Sequence, residues 1–80
     1  MRKSNLKVQE IARETGMLFL KNGREYATCI RVGNKEMSFE YENPECEAYV
    51  SIYEQGKREL TYGVNDLDGL RAEHPEFFQD

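Results

Sequence analysis

Apolar residues change their spacing twice along the chain, and each change marks a change of element. Between residues 4 and 16, Val8, Ile11, Ala12 and Thr15 recur at i, i+3, i+4 and i+7, one stripe of a helix. Ser4 or Asn5 can serve as N-cap and Gly16 as a stop, so a short amphipathic helix is expected. From Met17 the period falls to two. Asn22-Gly23 best tolerates the positive φ that both central positions of a two-residue hairpin turn require, so strands are expected over 17–21 and 24–32. Gly33-Asn34 supplies the next turn. Beyond it Met37, Phe39 and Tyr41 alternate with Ser38, Glu40 and Glu42, the pattern of a third, half-buried strand.

Residues 43–62 admit two readings. Asn43 as cap, Pro44 at the first helical position, then Glu45 and Glu47 compose a helix start, and Cys46, Tyr49, Val50 and Tyr53 fall at helical spacing. Against this, Tyr49-Val50-Ser51-Ile52-Tyr53 is dense in strand formers and Ala48, Val50 and Ile52 alternate. Gln55-Gly56-Lys57 then leads directly into Glu59-Leu60-Thr61-Tyr62, so a hairpin is the favoured reading. After Gly63, Asn65 can cap a short helix through Asp66, Leu67, Leu70 and Ala72. That helix must end before Pro75, because proline disfavours helical geometry in the residue before it. Phe77 and Phe78 then need burial. The expected fold is α+β and a single domain over residues 1–80. It has an N-terminal helix, a four- to five-stranded antiparallel meander sheet and a short C-terminal helix, with both helices on one face of the sheet. No repeat, low-complexity stretch or linker interrupts it.

A chain of 80 residues buries only about 60 to 65% of the surface its unfolded form exposes, so its core is thin. At 39% hydrophobic and 11% aromatic residues beside 32% charged ones, it is still too apolar for a disordered acidic tail. No apolar run has the length of a signal sequence core or a membrane span. Cys29 and Cys46 are therefore expected to stay reduced, with the cytoplasm as the compartment and no membrane contact. The net charge of −4 is unevenly shared: residues 1–40 carry eight Lys/Arg against five Asp/Glu, and residues 41–80 three against ten. If the fold kept the halves apart, the acidic one would repel phosphate backbones and attract basic protein patches.

Candidate chemistry is sparse. Val8-Gln9-Glu10-Ile11-Ala12-Arg13-Glu14-Thr15-Gly16-Met17 resembles the first helix and turn of a helix-turn-helix DNA-binding motif. The position of the recognition helix, however, is taken by Phe19, Leu20, Asn22 and Gly23, which form a strand and turn. With the acidic total, this disfavours duplex DNA as a partner. Nucleophilic catalysis needs a Cys or Ser beside a base, and the one histidine, His74, stands in an exposed-looking Glu-His-Pro-Glu context. Cys29 and Cys46 read as space-filling thiols, one partly exposed and the other buried. Asp66-Leu67-Asp68-Gly69 lacks the later ligands and closing Glu of a calcium loop. No catalytic group, metal or cofactor is expected.

The five tyrosines carry more information. Side chains alternate across a strand, so Tyr49 and Tyr53 fall opposite Ala48, Val50 and Ile52, on an outer face shared with Arg31, Glu36, Ser38 and Glu40. Tyrosine and arginine are enriched at binding hot spots because they bury large area and keep a polar handle. The expected contact residues are Tyr49, Tyr53, Arg31 and Glu40, joined by the acidic Asp66, Asp68, Glu73 and Glu76. The function expected is a small non-enzymatic protein-binding module, an inhibitor, adaptor or regulator of a larger protein with a basic patch. In size and charge the chain is similar to the compact inhibitors encoded by phages and other mobile elements, an analogy with no motif behind it. Two alternatives use the same tyrosines. One is a nucleotide- or small-ligand-sequestering protein with its site at a homodimer interface, and the other a single-stranded nucleic acid binder.

Overall fold

A computed structural model describes residues 3–43 and 45–78. The first helix, α1, spans Lys3–Thr15 and buries Val8, Ile11 and Ala12, the stripe set by their spacing. Ser4 and Asn5 lie inside the helix rather than at its cap. Gly16 ends it with φ +91°, and its N–H donates to the Arg13 carbonyl at 3.3 Å. Six strands follow: β1 (Leu18–Lys21), β2 (Arg24–Ala27), β3 (Ile30–Val32), β4 (Lys35–Glu40), β5 (Tyr49–Glu54) and β6 (Leu60–Tyr62). A 3₁₀ turn at Val64–Asp66 leads into α2 (Leu67–Glu73), and a second at Pro75–Phe77 follows it. The protein is α+β, with a helix at each end of an antiparallel β region.

The strands form two sheets rather than one meander: a hairpin β1-β2, and a four-stranded sheet in the order β3-β4-β5-β6. Residues 24–32, expected as one strand, divide at Thr28-Cys29. Because β1 begins just after α1, partners on it run out there: Leu18 faces Ala27, and the last bond of the ladder is Thr28 N–H to the Met17 carbonyl at 2.8 Å. From Ile30 the chain pairs instead with β4, Ile30 opposite Met37. Both expected turns are present. Lys21 pairs with Arg24 across Asn22 (φ +54°) and Gly23 (φ +78°), as a type I′ turn requires. Val32 pairs with Lys35 across Gly33 (φ +62°) and Asn34.

The strand reading of residues 49–54 holds. Val50 and Ile52 are buried, while Tyr49 and Tyr53 are 40% and 51% exposed. The helix-start signal at Asn43 survives as one turn: its Oδ1 accepts from the N–H groups of Glu45 and Cys46 at 2.9 and 3.2 Å. It goes no further because all six residues of β5 find partners on β4, from Glu40–Tyr49 to Lys35–Glu54. Pro44 lies outside the described residues. At the C-terminal end Asn65 sits within the 3₁₀ turn, and Asp66 occupies the cap position of α2. The helix stops at Glu73, ahead of Pro75.

One apolar cluster joins these parts. Met37, Val50, Ile52 and Tyr62 on the inner face of the large sheet meet Val8, Ile11 and Ala12 of α1, Leu70 of α2 and Phe77. Met17 and Leu18 bring the base of the hairpin into the same cluster, and Phe78 packs against its margin. Both helices therefore lie on the inner face. Among the described residues, no helix is long and apolar enough to cross a membrane.

Candidate functional site

The outer face of the large sheet carries side chains in cross-strand rows. At one end Arg31, Glu36 and Tyr53 form a row across β3, β4 and β5, and the Arg31 Nε donates to Glu36 Oε2 at 2.8 Å. In the middle stand Ser38, Ser51 and Thr61, and the buried Ser51 is satisfied by donating its hydroxyl to Glu59 Oε1 at 2.8 Å. At the other end Glu40 faces Tyr49. Tyr49, Tyr53, Arg31 and Glu40 thus share one face, as their sequence positions required. Tyr53 lies four residue steps along the strand from Tyr49, however, about 13 Å of rise, so they sit at opposite ends and cannot clasp one small ligand together.

The acidic residues behave differently. Glu73 accepts a hydrogen bond from the Tyr62 hydroxyl, and Glu76 receives the Lys35 ammonium at 2.7 Å. Asp68 lines a shallow groove beside Lys7 and Arg71, between α1 and α2. Asp66 and Asp68 remain exposed. Two of the four are thus engaged within the fold, and ion pairs join the two halves of the chain: Lys35 to Glu76, and Arg71 to Glu14 at 2.7 Å. His74, expected to be exposed, is buried, with 6% of its surface accessible.

Around Tyr49 the end of the sheet opens into two adjoining depressions that share Glu40, Tyr41 and Glu42. One is completed by Cys46, Glu47 and Tyr49 and the other by Glu25, Tyr26, Ala27 and Phe39 of the neighbouring hairpin and strand, with Leu18 and Asn43. Tyr41 leans on Phe39 with ring centroids 5.0 Å apart, while Tyr26 stacks on Phe19 at 5.8 Å. Among the described residues, no Lys, Arg or His lines either depression. Glu25 is held by Arg13 at 3.0 Å, whereas Glu40, Glu42 and Glu47 have no cationic partner among the described residues. The surface combines exposed aromatic rings with carboxylates.

Asn5 sets the shape of this end. From within α1 its Oδ1 accepts from the Ala48 N–H at 2.8 Å and its Nδ2 donates to the Cys46 carbonyl at 2.6 Å, which pins the loop that carries Glu47. Comparison with protein-family models, curated proteins and solved structures finds no match for this chain. Tyr26, Tyr41, Glu42 and Glu47 were not singled out from the sequence. The available signal was the repeated juxtaposition of acid and aromatic, Glu40-Tyr41-Glu42 and Glu47-Ala48-Tyr49, which the β4-β5 register folds onto itself.

Other chemistry is confined. Cys29 and Cys46 are free thiols, the first exposed and the second half-buried. Desolvation and the Glu36 carboxylate push the Cys29 thiol up, so it is held in its protonated, poorly nucleophilic form. No group of three or more His, Cys, Asp or Glu among the described residues is arranged to hold a metal ion.

Proposed function

We propose that this protein is a small non-enzymatic binding module, an inhibitor, adaptor or regulator of a larger protein. It takes hold of a basic, partly apolar segment of that protein at the Tyr41–Tyr49 end of the sheet. The observation that carries this reading is the union of exposed tyrosine rings with three carboxylates that have no cationic partner among the described residues. An arginine or lysine can lay its aliphatic stem and charged head over a tyrosine face while a glutamate meets the charge. Tyrosine also loses little entropy on being covered. The two free cysteines fit a reducing compartment, and we place the protein in the cytoplasm.

A nucleotide or single-stranded nucleic acid has less support on the same face. Phosphate would meet glutamates at the Tyr49 end, and Arg31 at the Tyr53 end is already engaged by Glu36.

The reading is tested by capture and affinity measurement with the whole chain. A Tyr41→Ala, Tyr49→Ala variant should weaken partner binding by at least about 2 kcal/mol, a factor of about 30 in Kd. A Glu42→Lys, Glu47→Lys variant should lower the association rate and flatten its dependence on salt. An Asp66→Asn, Asp68→Asn control should bind as the parent does. Undiminished binding by the tyrosine variant, with a native circular dichroism spectrum, would remove the proposal.

A further inference from the structure

His74 is buried between the sheet and the C-terminal segment, and its two ring nitrogens face different partners. Nδ1 lies 3.3 Å from the Lys35 ammonium of β4, and Nε2 lies 3.0 Å from the Tyr62 hydroxyl of β6. An ammonium only donates, so Nδ1 must accept. The ring is then neutral, with its proton on Nε2 directed to the Tyr62 oxygen. The Tyr62 hydroxyl in turn donates a hydrogen bond to Glu73, so the chain from Lys35 through His74 and Tyr62 to Glu73 runs in one direction with every group satisfied.

We propose that His74 is a proton-operated latch: as a neutral ring it ties residues 74–78 to β4 and β6, and protonation of Nδ1 releases that segment. A proton on Nδ1 would point a second donor at Lys35 and set two cations side by side. Glu76 Oε1 is the nearest carboxylate oxygen given for the new donor, but at 4.0 Å from Nδ1 it is beyond hydrogen-bond reach and already holds Lys35 at 2.7 Å. The charged groups around the ring are Lys35 on β4, Glu54 on β5, Glu73 on α2 and Glu76 in the following turn. The three carboxylates favour the charged ring, whereas burial and Lys35 oppose it. Burial and Lys35 prevail, and His74 is held below its ordinary 6.5. What the latch holds is visible in the backbone: His74 N–H donates to Leu70, Phe77 N–H to His74 and Phe78 N–H to Pro75, with Phe77 in the core.

The test is nitrogen-15 NMR of the imidazole together with amide exchange on the full chain, from pH 8 to pH 4.5. At pH 7 the proton should be on Nε2. As the ring titrates below 6.5, the Phe77 and Phe78 amides should lose protection while β4 and β5 keep theirs. Lys35→Met should move the ring's midpoint upward, and His74→Gln, which can still donate and accept but cannot titrate, should abolish the loss over this range. If His74→Gln does not fold, the parent and Lys35→Met decide the matter. A proton on Nδ1 at pH 7, or Phe77 and Phe78 amides that stay protected through the ring's titration or open only with the whole sheet, would overturn the latch.

Discussion

Single residues hold this fold where the hydrophobic pattern alone could not. Asn5 sits on the buried stripe of α1, where an amide is costly unless satisfied, and it spends both ends of its side chain on the backbone of residues 46 and 48. Asn5→Leu should therefore destabilise the fold by roughly 1–3 kcal/mol in urea denaturation, the penalty for leaving the Ala48 N–H buried without an acceptor. Gly23 shows the opposite case, a position defined by backbone alone: a Cβ added there meets nothing within 4 Å, yet φ is +78°. Gly23→Val should cost about 1–2 kcal/mol through strain at positive φ, and an unchanged denaturation midpoint would contradict the turn. The Gly23 effect was legible in the dipeptide itself. The role of Asn5 was not, because its partners lie 41 and 43 residues away.

At the scale of elements, period-two alternation is robust because slipping a strand by one residue moves every side chain to the opposite face. That is why the facing of Val50, Ile52, Tyr49 and Tyr53 could be read in advance, even beside a competing helical spacing. The facing has a direct consequence for stability. Val50→Ala or Ile52→Ala should cost roughly 1–4 kcal/mol, the range for a buried branched side chain that leaves a cavity. Tyr49→Ala with Tyr53→Ala should cost less, about 0.2–1 kcal/mol per lost cross-strand pair. Thermal denaturation of the three variants separates the classes. The split of residues 24–32 between two sheets was hidden for a related reason: strand propensity is local, but where a strand changes partner depends on where the neighbouring strand begins.

Over the whole molecule, charge is distributed by contact and not by position along the chain. The uneven charge would permit separate basic and acidic faces, but folding joins the two halves through Lys35–Glu76 and Arg71–Glu14. These pairs fix how stability depends on pH. Glu14 and Glu76 are held below their ordinary 4.5, mainly by Arg71 and Lys35, so their contribution is complete above pH 4.5 and is lost as pH falls through the lowered values. His74, also lowered, contributes above pH 6.5 and loses its contribution first on acidification. In alkali the sign reverses for Tyr62: burial and the Glu73 carboxylate push its phenol up to about 12, so stability falls as pH rises from 10 towards that value. Ultraviolet titration should show a phenol ionising near 12 in the parent, and Tyr62→Phe should remove that step.

The candidate surface also belongs to this scale. Glu40 and Tyr49 were legible as members of an outer face, but Tyr26, Tyr41 and Glu47 join them only when the β1-β2 hairpin and the loop pinned by Asn5 are in place. Hydrogen–deuterium exchange on the complex with a captured partner, compared with the free protein, tests the proposal most directly. Protection should appear at residues 25–27 and 40–49 and fade with added salt. Protection at residues 31–36 and 53–55, with residues 40–49 exchanging as in the free protein, would place the contact at the other end of the sheet and contradict it.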